Sequence, residues 1–223
     1  TSLPSVEQYA NVFEEYAKTN TPVVCFTISL IFSGSFNSAI NARELVLEDY
    51  PDAEIHVIDS KQNTVTQALI IDQMVRMQKA DLPLDLALKN IEKVIDSARI
   101  FFTVGSLDYL QMGGRIGKVA AAAGKIDVKP VIIMKNGDIG LGGIGRNRNK
   151  LKKKVLSVAD KYLTEHGKDN FVVSVGYGYD ASEGVSFMNE LEEALDVKLN
   201  SETNVAIGIV SGVHTGPHPI GLG

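Results

Sequence analysis

Three clusters of residues in this chain have the types and spacing to do chemistry. In the first, Ser29 and Ser33-Gly34-Ser35 separate an apolar run, Pro22–Ile28, from a helical pattern that continues to Tyr50. A strand running into a Ser/Gly turn and then a helix gathers unpaired backbone N–H groups and the positive end of a helix dipole at one point. That is a place for an anionic head, phosphate or carboxylate. The plainer reading is an ordinary cap, since Ser and Asn are the usual residues there. The second cluster ends the chain: Ser211-Gly212, then His214-Thr215-Gly216-Pro217, repeats the hydroxyl and glycine theme and adds a titratable donor. The third is the basic run Arg146-Asn-Arg148-Asn-Lys150-Leu-Lys-Lys-Lys154. It opens a helix, where positive charge is unfavourable. A solvated face explains it, and so does an anionic partner or an arginine reaching into the site.

Other patterns are weaker. Gly140-x-Gly142-x-x-Gly145 matches the dinucleotide fingerprint on paper, but Asn136-Gly137 just before it is the strongest short hairpin signal. That makes Asp138–Leu141 a return arm rather than a strand entering a phosphate turn, and leaves the glycines to a flexible loop. His214 and His218 are four apart, yet Gly216, Pro217 and Pro219 forbid a helix through the span and no cysteine or carboxylate cluster completes a metal site. No Gly-x-Ser-x-Gly elbow is present. Asp59 and Asp108 each follow apolar segments and could act as bases, or simply as strand-end and helix-cap carboxylates.

The elements that must position these groups read as α/β. Ser5-Val-Glu-Gln8 fits a capping box before a helix to about Lys18. Strands are expected at Val23–Ile28, Ile55–Ile58 and Arg99–Val104, with helices at about Ser35–Tyr50, Gln62–Gln78 and Leu84–Ala98. That alternation predicts a parallel sheet. Gly105–Gly124 reads as a short helix, a Gly-Gly break and an alanine-rich helix, a connector between two domains. From Val128 the grammar becomes ββαβαβ, with a hairpin at Asn136-Gly137, helices at Asn149–His166 and Asp180–Leu195, and strands at Phe171–Val175 and Val205–Val210. The expectation is therefore an N-terminal parallel-sheet α/β domain over residues 1–125 and a C-terminal α+β domain over 126–223, with a ligand between them.

Composition bounds the function. A chain of 223 residues with 44% hydrophobic residues can build real cores. No stretch reaches the ~20 apolar residues of a membrane span, and nothing at the start resembles a signal peptide. The single cysteine, Cys25, sits inside an expected strand, which suits a reducing cytoplasm. A net charge of −5 argues against a nucleic-acid surface.

Five motifs stand in an order that resembles the DegV family of bacterial fatty-acid-binding proteins. They are Thr1-Ser2-Leu3-Pro4-Ser5, Ile28-Ser29 with Ser33-Gly34-Ser35-Phe36-Asn37-Ser38-Ala39, Val57-Ile58-Asp59-Ser60-Lys61, Ser106-Leu107-Asp108-Tyr109-Leu110 with Gly113-Gly114-Arg115-Ile116, and His214-Thr215-Gly216-Pro217. The resemblance spans essentially the whole chain. It implies one long-chain fatty acid held between two domains, its carboxylate gripped by hydroxyls and a histidine. It also implies no other cofactor, no metal, and a carrier presenting the fatty acid to a separate kinase that makes an acyl phosphate. By the same resemblance the head-group residues are Thr1, Ser2, Ser29, Ser33, Gly34, Arg115, Arg148, His214 and Thr215, with Arg146 second to Arg148. Three departures stand out. Leu30 replaces a serine, His218 replaces a glycine, and the strand that precedes the Thr-Ser-x-Pro motif in most members is missing, so an absent N-terminal segment is expected. Energetically, about 16 carbons at about 0.8 kcal/mol per buried CH₂ supply around 10 kcal/mol gross, so affinity would come from the tail and orientation from the head. The competing expectations are an enzyme acting on a small acyl or phosphorylated substrate with His214 as acid or base, and a regulatory module docking through Arg146–Lys154.

Overall fold

The computed structural model describes residues 1–122, 129–199 and 201–223. The first unit opens with helix α1 (Val6–Ala17), whose N-terminus carries the expected capping box between Ser5 and Gln8. Strand β1 (Val23–Thr27), helix α2 (Ser35–Asp49), strand β2 (Ile55–Asp59), and helices α3 (Thr64–Lys79) and α4 (Leu84–Ser97) follow. β1 and β2 pair in parallel, Val23 opposite Ile55 through Thr27 opposite Asp59. Strict alternation along β1 splits its side chains between two helical layers. Val23 and Cys25 pack with Phe13, Ala39 and Ala42 of α1 and α2. Val24 and Phe26 pack with Ile70, Ile91 and Ile95 of α3 and α4. Small residues on α1 and α2, Ala10, Ala17, Ala39 and Ala42, are buried there. Burial also pushes the Cys25 thiol above its usual range, so it is a core residue rather than a nucleophile.

The second unit is a six-stranded mixed sheet. It contains strand β3 (Ile100–Thr103), the hairpin β4 (Lys129–Lys135) and β5 (Asp138–Gly145), then β6 (Val175–Tyr177), β7 (Asn204–Ala206) and β8 (Ile220–Leu222), in the order β5-β4-β3-β8-β6-β7. Helices α5 (Asp108–Met112), α6 (Arg148–His166), α7 (Ala181–Leu195) and α8 (Ile209–Thr215) complete it. One face of the sheet, through Phe101, Val131, Val175 and Leu222, packs on Leu151, Val155, Phe187 and Leu191 of α6 and α7. The other face, through Ile100, Ile132, Met134 and Ile139, packs on Leu110 and Val119 and takes Phe32 from the first unit. No described helix is long and apolar enough to cross a membrane.

Several sequence expectations shift. The strand at 100–103 does not extend the parallel pair: it runs antiparallel between β4 and β8. β3 therefore belongs to the second sheet, and the expected domain boundary at residues 125/126 lies outside the described residues. The alanine-rich segment begins as a 3₁₀ turn, Gly117–Ala122. Gly140, Gly142 and Gly145 lie within β5 rather than in a loop. The strand expected at 171–175 is assigned only from Val175, where β6 starts, although Ser174 just before it exchanges backbone hydrogen bonds with Gly223 at 2.8 and 3.0 Å. After β7 the chain forms helix α8 and then β8, which enters the sheet between β3 and β6. The Asn136-Gly137 hairpin is as expected, both residues taking the positive φ of a type I′ turn, 53° and 83°.

Candidate functional site

The C-terminal end of β1 faces the second sheet across a cavity of about 780 Å³, within the usual range for ligand sites of ~300–1,000 Å³. Open parallel sheets bind ligands beyond their strand ends for the same reason seen here: the chain enters helices there and exposes amides. Phe26, Ile28 and Phe32 line one side, and Phe102, Leu110 and Ile139 the other. Leu3, Pro4 and Val210 close further apolar surface.

The polar groups converge from segments distant in sequence. His214 occupies the last turn of α8, which ends at Gly216 with φ 76°. A Cβ at Gly216 would run into the Tyr109 ring, so glycine there lets α8 seat against α5. His214 Nε2 lies 3.0 Å from Thr1 Oγ1, whereas Nδ1 is buried without a partner. The ring edge carrying Nδ1 packs directly on Gly113, where a side chain would collide with it. Burial of the imidazole, and next the Arg115 charge, hold His214 below its usual pKa, so it is neutral at pH 7. Arg115 reaches back to the first unit: Nε and Nη2 donate to the Phe32 carbonyl at 3.3 and 3.2 Å, and Nη1 donates to the Gly113 carbonyl. These bonds take at least three of its five N–H donors and leave its charge facing the cavity.

The hydroxyl turn forms the N-terminus of α2. Gly34 is its N-cap and makes no side-chain cap bond, and no acidic residue stands in the first turn. Ser33 Oγ lies 2.8 Å from Ser35 Oγ and accepts the Ser35 N–H at 3.2 Å. Gly34 lies under Leu3, whose Cδ2 is 3.2 Å from the place a Cβ would occupy. Thr215, on α8, directs its hydroxyl proton to the Ser211 carbonyl at 3.1 Å, which leaves its oxygen to accept. Thr1, Ser2, Ser33, Gly34, Arg115, His214 and Thr215 all line the one cavity.

Two of the expected head-group residues are placed elsewhere. The Ser29 hydroxyl donates to the Gly137 carbonyl at 2.6 Å, fastening the β4–β5 turn to the first unit. It is fully buried in that role. Arg148 sits at the start of α6 and forms a two-pronged ion pair with Glu183 of α7, Nε to Oε1 at 2.7 Å and Nη2 to Oε2 at 2.6 Å. Lys152, one turn on, pairs with Glu190 at 2.7 Å. The basic run is thus partly consumed in joining α6 to α7, and the unfavourable charge at the α6 N-terminus is offset by Glu183. Leu30 is 52% exposed and is not among the cavity's lining residues, while its N–H donates to Asp59 at 3.3 Å. Asp59 also accepts the Lys61 N–H at 2.9 Å, and Asp108 accepts from the Ser106 hydroxyl at 2.7 Å. Both carboxylates therefore organise turns. His218 is exposed against Gly105.

Sequence reasoning missed four residues here. Gly113 appeared only in a helix break and in the Gly113–Ile116 motif, with no role of its own, and Thr27 only as the residue where the apolar strand meets the hydroxyl turn. Asn63 and Gln67 line the cavity from α3 without having stood out in the sequence at all. The visible signal at residue 27 was a hydroxyl in an otherwise apolar strand.

The profile of the family described as "Uncharacterised protein, DegV family COG1307" matches residues 1–223. A crystal structure of a stearic acid-binding protein from Eubacterium ventriosum is 72% identical, covers 99% of this chain and 76% of its own, and superposes with a TM-score of 0.96. The fatty acid kinase B3 protein of Streptococcus pneumoniae, loaded with linoleic acid, shares the fold at 20% identity and a TM-score of 0.79, over 99% of this chain and 76% of its own. A DegV domain-containing protein of Clostridium perfringens is 29% identical over 96% of this chain and 75% of its own length. The chain belongs to the DegV family.

Proposed function

We propose that this protein binds one long-chain fatty acid in the cavity between its two sheets and carries it without transforming it. The observation that carries the reading is the pairing of Thr1 with His214 at 3.0 Å in an otherwise largely apolar cavity. The head would be held by Thr1, Ser2 and His214, by Ser33 and the open α2 N-terminus at Gly34, and by the charge of Arg115, with the Thr215 oxygen beside them. The tail would lie against Phe26, Phe32, Phe102, Leu110 and Ile139. Burying a carboxylate costs much unless it is hydrogen-bonded from several sides, and these residues supply that. The stearic acid-binding relative at 72% identity supports the ligand class. The kinase B3 protein, sharing the fold, supports presentation to a kinase as the carrier's role.

Electrostatics favour an anion: Arg115 lines the cavity, and no Asp or Glu is among its described lining residues. The same fact weakens the enzymatic alternative, since no carboxylate stands by to orient His214 and its Nδ1 has no partner. Native mass spectrometry of the purified protein tests the reading. A bound mass near a C16–C18 acid, lost in His214→Ala, is expected. Protein that is ligand-free and fails to displace a fluorescent fatty acid refutes it.

A further inference from the structure

The cavity contains a second set of polar groups that the Thr1–His214 head does not use. Thr27, the last residue of β1, is only 3% exposed and lines the cavity, yet its Oγ1 has no hydrogen-bond partner. Its backbone is accounted for, since the carbonyl accepts from Ser60 N–H at 3.1 Å. On the same lining is Asn63, the N-cap of the 16-residue helix α3. Asn63 makes no side-chain cap bond; its Oδ1 accepts from the Thr64 hydroxyl at 3.2 Å instead. Thr64 itself adopts φ 45°, unusual for a β-branched residue. No acidic side chain stands in the first turn of α3, and Arg76 and Lys79 stand in its last. The dipole is therefore satisfied at the far end and open at the cavity. Gln67, one turn along, holds its amide only loosely, 3.5 Å from the Phe26 carbonyl.

We infer that Thr27, Asn63 and the first amides of α3 form a second oxyanion subsite, one that takes the acceptor oxygens of an acyl ligand's head. A buried hydroxyl left without a partner is costly, and an uncapped helix start is a ready anion site; a ligand oxygen between them resolves both. Among the described residues of the cavity the subsite has no competing carboxylate. The chemistry suits a carboxylate or a phosphate on the same alkyl chain. This inference rests on the proposed acyl-ligand reading of the cavity.

The test is titration calorimetry of wild type, Thr27→Val and Asn63→Asp with stearate, octadecyl phosphate and octadecanol. Valine replaces threonine with the same shape, so only the hydroxyl is lost. Thr27→Val should lose tenfold or more in affinity for stearate, for octadecyl phosphate, or for both, and bind octadecanol as wild type does. Which anion loses identifies the group the subsite holds. Asn63→Asp should weaken both anions while raising Tm, because a carboxylate caps α3. Ligand-free Thr27→Val should melt no lower than wild type, having lost an unpaired buried hydroxyl. Unchanged affinity for both anions, an equal loss for octadecanol, or a clearly lowered Tm overturns the subsite. If wild type binds both anions and Thr27→Val is unchanged, the subsite fails and the fatty-acid reading stands. If wild type binds octadecyl phosphate but not stearate, the fatty-acid reading fails and phosphate binding by Thr27→Val still decides the subsite. Wild type binding neither overturns both.

Discussion

Gly113→Ala isolates the way the head of the cavity is built. Gly113 has φ −76° and ψ −7°, a conformation alanine adopts freely, so backbone strain plays no part. The added methyl would collide with His214 Nδ1 and approach Cε1 to 3.1 Å and the Tyr109 carbonyl to 3.2 Å. That carbonyl is fixed by its bond from the Gly113 N–H at 3.0 Å. The imidazole must therefore yield. A displacement of about 1 Å takes its contact with Thr1, now 3.0 Å, out of hydrogen-bond range. The displaced ring and Thr1 would also lose their proposed hold on the stearate carboxylate, and a hydrogen bond to a charged group contributes about 1.5–3 kcal/mol. Stearate affinity should then fall by about 10- to 150-fold, measured by calorimetry or by displacement of a fluorescent fatty acid. The control is the double mutant. If the methyl acts only through the ring, Gly113→Ala should be nearly silent in a His214→Ala background. Wild-type affinity in Gly113→Ala refutes the argument, and so does a loss that persists without the histidine.

Three further outcomes follow from the placement of single residues. Because burial and Arg115 depress the His214 pKa, the unfolded chain takes up the proton first as pH falls. Its contribution to stability is therefore complete above the usual value of 6.5 and is lost as pH drops from there through the folded pKa. A bound carboxylate pulls the other way, so stearate binding below that pH should take up a proton, seen as a buffer-dependent heat that His214→Ala abolishes. Arg148→Met should cost about 1.5–3 kcal/mol of unfolding free energy in urea, from the lost Glu183 pair, and leave stearate affinity unchanged. A binding loss at unchanged stability would return Arg148 to the site. Leu30→Ser should leave affinity within about twofold, since the side chain is exposed outside the cavity; a clear gain would show that residue 30 turns inward around the ligand.

What the sequence made legible follows the length over which a physical signal repeats. The helices of 12 to 19 residues and the β1–β2 pair carry enough periodicity to be found. β6 and β8 are three residues each, too short to alternate, and β8 hides behind Gly216, Pro217 and Pro219. Ile100-Phe-Phe-Thr103 is apolar on both faces, which marks a buried strand but not its sheet. Residue type announced Ser33-Gly34 as an anion turn. It could not announce that Ser29, four residues earlier, spends its hydroxyl on Gly137, because that bond spans 108 positions. Thr1 and His214, 213 apart, were joined by family resemblance rather than by any local pattern.

The deeper regularity of the site concerns which helices are capped. α1, α6 and α7 carry side-chain caps from Ser5, Asn147 and Asp180. α2 and α3, whose starts at Gly34 and Asn63 line the cavity, have neither a side-chain cap bond nor an acidic first turn. Capping would add about 0.5–2 kcal/mol to α3, and Asn63 stands in place to do it, but its Oδ1 accepts from the Thr64 hydroxyl instead. At α2 Ser33 Oγ accepts only the first amide, that of Ser35, and no acidic side chain stands in the first turn. Two incompletely capped helix starts on one cavity, with Thr27 unpaired on the same lining, concentrate positive potential where β1 ends. A ligand carrying an oxyanion recovers that stabilisation only by entering, so anchoring the head and completing the fold of the first unit are the same event. Stearate should therefore slow hydrogen exchange at the first-turn amides of α2 and α3 more than at those of α1 or α7. Equal protection across all four helix starts would refute that coupling.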